Sequence, residues 1–220
     1  MKNIKFSEMG ISIDNLKDYI QKMKIRVVFF SETHRMIPET VIQKKIIEKI
    51  SPDYFLYELL EEEEILRGEY DKFLERNDSE DFSIISKVSD LKPTVEIAKK
   101  LNIPLIGCDI KDMLRINTKF RERENLTPNE IEEENNIMKK REERQIKSIN
   151  KILGKKPKVL VFVSLGAYHL RKNSPVFKAI KSEYVLIRPL FNGKEIYEVD
   201  NPLACNVSYI ITGSKPWQIN

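Results

Sequence analysis

The stretch Val159-Leu-Val-Phe-Val-Ser-Leu-Gly-Ala-Tyr-His169 decides the fold. From Val159 to Leu165 it is the most apolar run of the chain and is rich in β-branched side chains, the pattern of a strand buried on both faces. Strands of that kind belong to parallel sheets with helices on either side, because only such covering hides both faces from water. Gly166 to His169 then reads as a turn that carries a histidine just past the strand end.

Upstream, Thr127-Pro-Asn-Glu130 is a capping box with proline at the first helical position, so a long helix should run to about Leu153 and stop at Gly154. Nearer the start, Leu16, Tyr19, Ile20 and Met23 recur at helical spacing within Asp14–Lys24, and the run Ile25–Phe30 reads as a buried strand. Pro38 opens a helix to Ile50, and Asp53–Tyr57 forms the next strand. Leu59–Glu75 reads as a helix whose glutamates Glu61 to Glu64 make a solvated face. Pro93–Leu101 suits another helix and Ile103–Asp109 another strand, with later strands at Tyr184–Ile187, Glu195–Val199 and Val207–Ile211. Strands alternating with helices predict an α/β fold: a largely parallel central sheet flanked by helices, with an antiparallel edge from the later strands.

At 220 residues the chain is expected to form a single domain over 1–220. Its 38 basic and 34 acidic residues are intermixed and leave a net charge of only +4, so nucleic acid is not an expected partner. Cys108 and Cys205 lack metal or redox spacing and read as small buried residues. No apolar run is long enough to span a bilayer and the N-terminus lacks a signal-peptide core, so no membrane association and a cytoplasmic location are expected.

In open α/β sheets, ligands bind beyond the carboxyl ends of the strands. That rule selects Glu32 and His34 after the first strand, Glu58 after the second, Asp109 after the third and His169 after the fourth. His34 and His169 are the only 2 histidines, and both follow strong strands, which points to one shared polar site. On the long helix, Ile131, Met138, Arg141, Gln145, Ile149 and Ile152 fall on one stripe, and Arg141 interrupts its apolar character. A guanidinium there needs a partner or an exit to solvent; Glu32 and Glu58 are the candidate anions.

The ordered segments Phe29-Phe-Ser-Glu-Thr-His34, Tyr57-Glu58, Gly107-Cys-Asp109, Arg141 with Ile149, and Leu165-Gly-Ala-Tyr-His-Leu170 resemble the motifs of the superfamily that holds the TraB and PrgY proteins, the Tiki proteases, the erythromycin esterases and the haem-binding ChaN lipoproteins. The resemblance maps Glu32 and His34 to a first Gly-Glu-x-His-like motif, Glu58 to its acidic position, Arg141 to its arginine, and Gly166 with His169 to the second motif. Ser31 stands where the first glycine of the family is usual. It implies a hydrolase, peptidase-like or esterase-like, acting on a small-molecule or peptide substrate through Glu32, His34, Glu58, Arg141 and His169. A metal-assisted form would hold Zn or Mn on His34, His169 and Glu32 or Glu58. The alternative is a binding module without catalysis that holds a tetrapyrrole or other small ligand, with Tyr168 and His169 as candidate axial ligands.

Overall fold

The computed structural model describes residues 13–33, 37–77, 91–113, 116, 126–171, 173–194 and 207–213. Within them a seven-stranded sheet is built from β1 (Val27–Glu32), β2 (Tyr54–Tyr57), β3 (Glu64–Ile65), β4 (Leu105–Gly107), β5 (Val161–Gly166), β6 (Tyr184–Phe191) and β7 (Val207–Gly213), in the order β3-β4-β2-β5-β1-β6-β7. The five inner strands are parallel, while β3 and β7 run antiparallel on the two edges. The expected α/β class is therefore what the chain adopts, with an antiparallel strand at both edges. The segment Glu195–Val199, read as a strand, lies outside the described residues.

Every residue of β1 and β5 is buried, as their unbroken apolar runs require. Side chains alternate between the two faces. Val28, Phe30, Phe55, Tyr57, Phe162 and Val185 pack against α1 (Ile13–Lys22), α2 (Ile37–Ile50), α3 (Tyr70–Asn77) and α4 (Leu91–Leu101). Val27, Phe29, Leu56, Ile106, Val161, Val163 and Leu165 pack against α5 (Pro128–Leu153) and α6 (Pro175–Ala179). Cys108 is buried in this second layer, as its reading as a small core residue requires.

The capping box that begins α5 forms as expected: Thr127 Oγ1 accepts from Glu130 N at 3.3 Å, and Glu130 accepts from Thr127 N at 2.9 Å. At the other end, Arg26 donates from Nη2 to the carbonyls of Leu153 at 2.6 Å and Lys156 at 2.8 Å, so carbonyls left over at the helix terminus are met by a side chain from the start of β1. Near the carboxyl edge, Ile131 on the same stripe is exposed, and burial begins at Arg141.

The expected helix over Leu59–Glu75 is the clear departure. A 3₁₀ turn occupies Glu58–Leu60, Glu61 turns left-handed at φ 54°, and the chain enters β3 before α3 begins at Tyr70. Tertiary hydrogen bonding overrides the helical propensity of the glutamate run: Gly107 N donates to Glu63 O at 2.6 Å and Asp109 N to Glu61 O at 3.0 Å. This contact is so close that a Cβ on Gly107 would lie 2.2 Å from Glu61 O and 2.8 Å from Leu60 O. Both obstacles are backbone, which cannot swing away as a side-chain tip can. Gly107→Ala is expected to cost about 1–3 kcal/mol of stability, seen as a lower urea midpoint with an unchanged slope. An unaltered midpoint would contradict the close approach.

Candidate functional site

Three strand ends deliver acids or a histidine to the α5 side of the sheet. Glu58 follows β2, Asp109 follows β4, and His169 lies in the 3₁₀ turn Ala167–Leu170 that follows β5. Arg141, from the first buried turn of α5, joins them. It donates from Nε to both oxygens of Asp109 at 3.1 and 2.9 Å, from Nη2 to Asp109 Oδ2 at 2.6 Å, and from Nη2 to Glu58 Oε1. Ile110 N adds a bond to Asp109 Oδ1 at 2.8 Å, and Gly166 N donates to Glu58 Oε2. All four side chains are 6% exposed or less.

His169 extends the cluster. Its Nε2 lies 3.5 Å from Glu58 Oε1, and its Nδ1 lies 3.8 Å from Glu142 Oε1, an ion-pair distance that leaves Nδ1 without a hydrogen-bond partner among the described residues. Glu142 in turn binds Arg171, which also donates to the carbonyl of Tyr168 at 2.9 Å. The charges alternate along the path Asp109, Arg141, Glu58, His169, Glu142, Arg171.

The surroundings set the proton affinities. Burial disfavours the charged form of His169, but the carboxylates of Glu58 and Glu142 outweigh it, so its pKa stands above the ordinary histidine value. Burial likewise opposes ionisation of Glu142, and its interactions with His169 and Arg171 outweigh it, so its pKa is lowered. For Asp109 burial wins: its pKa is raised despite Arg141, with the negative charge of Glu58 adding to the rise.

Glu32 lies elsewhere. Its carboxylate accepts from Ser164 Oγ at 2.6 Å, from Gln43 Nε2 at 3.3 Å and from Tyr57 Oη at 3.3 Å. Those partners belong to the layer under α2, and strand alternation puts Glu32 with Phe30 on that face, opposite Glu58 and Leu56. The structure thus brings together Glu58, Asp109, Arg141 and His169, and does not bring Glu32 to them. His34 lies outside the described residues. Glu142 and Arg171 were not singled out from the sequence. For Glu142 the signal existed: it falls one heptad before the buried Ile149, on the inward side of α5.

Among the described residues, Glu58, Asp109 and His169 each offer a ligand atom, and these atoms lie within 4.8 Å of one another. The donor types suit Zn or Mn. The guanidinium of Arg141, however, already hydrogen-bonds both carboxylates and supplies the positive charge that a cation would bring. The residues do not fit a divalent ion while Arg141 holds that place.

No family model and no curated protein matches the chain. Among solved structures, ChaN of Campylobacter jejuni, described with cofacial haem, resembles it with a TM-score of 0.49 at 13% identity, covering 94% of each chain.

Removing one partner of a buried ion pair leaves the others uncompensated. Arg141→Met is therefore expected to cost about 3–5 kcal/mol in chemical denaturation, and Arg141→Lys to recover only part of it because lysine lacks the planar fork. The histidine adds a pH dependence. A histidine whose folded pKa is raised contributes stability that is fully present below its unfolded value, about 6.5, and lost as pH rises through the folded pKa. Native protein should lose stability on going from below that value to alkaline pH, and His169→Gln should flatten this part of the profile. An identical slope in the variant would show that His169 is not the titrating group.

Proposed function

We propose that the carboxyl edge above this cluster is a binding site for a small planar ligand of the tetrapyrrole class, with Tyr168 as the residue that meets it. One observation carries the reading: Tyr168 is 57% exposed, whereas Glu58, Asp109, Arg141 and His169 beneath it are closed off at 5% or less. A phenol is an established oxygen ligand for ferric haem iron, and Tyr168 presents its ring edge-on to His169 with centroids 6.4 Å apart. The buried charges form the base that holds the turn. His169, as deeply buried as the core, acts from beneath as part of that base rather than as the group in contact with ligand.

The motif order of the sequence implied either hydrolysis or tetrapyrrole binding on one site, and the division between exposed rim and buried base favours binding. The test is the visible spectrum of purified protein titrated with ferric haem. A shifted Soret band with the charge-transfer features of a phenolate-ligated iron is expected for the native chain, and Tyr168→Phe should lose those features. Equal spectra for both proteins would remove Tyr168 from the site and with it this reading.

A second reading keeps one specific observation. His169 lies between Glu58 and Glu142 and holds its proton more strongly than an ordinary histidine. Such a residue suits general acid catalysis in ester or peptide hydrolysis near neutral pH. Hydrolysis of a chromogenic ester panel should then fall as pH rises through the His169 pKa and be lost in His169→Gln. Turnover that survives in His169→Gln would dismiss it.

A further inference from the structure

Two arginines belong to the alternating charge path, and they are not equivalent. Arg141 is 6% exposed and shares its guanidinium between Asp109 and Glu58. Arg171 is 36% exposed and meets one carboxylate, Glu142, which it must share with His169. Only its Nη1 makes close bonds, to Glu142 and to the Tyr168 carbonyl; Nη2 reaches Glu142 at 3.4 Å, and Nε has no hydrogen bond within the described residues. Arg171 is thus the exposed member of the path, with part of its donor edge turned away from Glu142.

The guanidinium also lies over an aromatic ring. Its carbon lies 4.5 Å from the centroid of the exposed Tyr168 ring, a cation–π contact that fixes both side chains as one surface. Glu142, held in turn by α5, anchors this surface from the buried side. A planar ring beside a guanidinium whose Nε is unbonded among the described residues and whose Nη2 makes only a long bond matches a ligand that carries a carboxylate next to an extended aromatic system, because guanidinium pairs with carboxylate through two parallel N–H donors.

We infer that Arg171 is the anion-recognising residue of this rim, selecting planar ligands that carry carboxylates. The inference rests on the binding reading above and adds to it the charge of the ligand and the residue that reads it. Glu142 is the positioning residue: it touches no ligand and fixes the fork from behind.

Two pairs of probes separate the parts. Ferric haem and its dimethyl ester report binding through iron, while metal-free protoporphyrin and its dimethyl ester report by fluorescence and need no ligand to iron. In each pair the free diacid is expected to bind native protein roughly tenfold or more tightly than the ester, the scale of one charge-assisted contact. Arg171→Met should bring the affinity ratio of diacid to ester down to about one, with Arg171→Lys between the two. Glu142→Gln should reduce the discrimination without abolishing binding of the ester. Equal affinity of diacid and ester in native protein, or discrimination that persists in Arg171→Met, overturns the inference and leaves Tyr168 untouched. Selective binding of metal-free diacid with no binding of haem through Tyr168 overturns the role given to Tyr168 and keeps that of Arg171. If none of the four probes binds, both fall.

Discussion

The guanidinium of Arg141 is the constraint on which the carboxyl end of this sheet depends. Glu58 and Asp109 leave two different strands and converge under α5, where two buried carboxylates would repel each other and lack solvation. Arg141 supplies the charge and three of the hydrogen bonds to Asp109 that replace water. Such an arrangement adds little net stability compared with a well-packed apolar one, since desolvating the charges consumes much of what they gain from each other. Its effect is positional. A wrong rotation of α5 would leave charges unpaired in the core. Arg26 ties the far end of the same helix through the carbonyls of Leu153 and Lys156. Two arginines thereby hold a helix whose first turns stand clear of the sheet.

Alternation along the strands splits the polar groups into two systems that meet at adjacent residues. Tyr57 points under α2 and donates to Glu32; Glu58 points under α5 and accepts from Arg141 and Gly166. Ser164 and Gly166 divide the same way at the end of β5, since Ser164 binds Glu32 while the Gly166 amide serves Glu58. The three central strands are thus pinned together at their carboxyl ends from both faces. Neutral donors surround the described contacts of Glu32, while the α5 side is built from full charges.

The strands and the long helix were legible because their signals are local: unbroken apolar runs at Ile25–Phe30 and Val159–Leu165, and a capping box at Thr127. That polar residues gather past the strand ends was legible from the architecture. Which face each one takes was not, because Glu32 and Glu58 are separated only by a register, Tyr57 beside Ser164 beside Phe30, that exists once β2, β5 and β1 are paired. The segment after Glu58 misled for a related reason. Its glutamates favour a helix taken alone, and only the carbonyl partners required by Gly107 at the end of β4 and by Asp109 just past it draw it into a turn and an edge strand. Glu142 lies one heptad before the buried Ile149, but its partners His169 and Arg171 become visible only once the helix is set against the turn that carries them.

A binding surface gains affinity when its contact groups are ordered before the ligand arrives, since less rotamer freedom is then lost on association. The turn from Gly166 to Arg171 meets that condition through bonds that do not involve its exposed side. The Gly166 amide is fixed by Glu58, His169 is enclosed by Glu58 and Glu142, and Arg171 is tied to Glu142 and to the Tyr168 carbonyl. Every charge in the cluster thus faces inward until the path reaches its last member. In the binding reading proposed here, a ligand at this edge would meet the Tyr168 ring and the outer side of Arg171, whose placement Glu58, His169 and Glu142 determine from beneath.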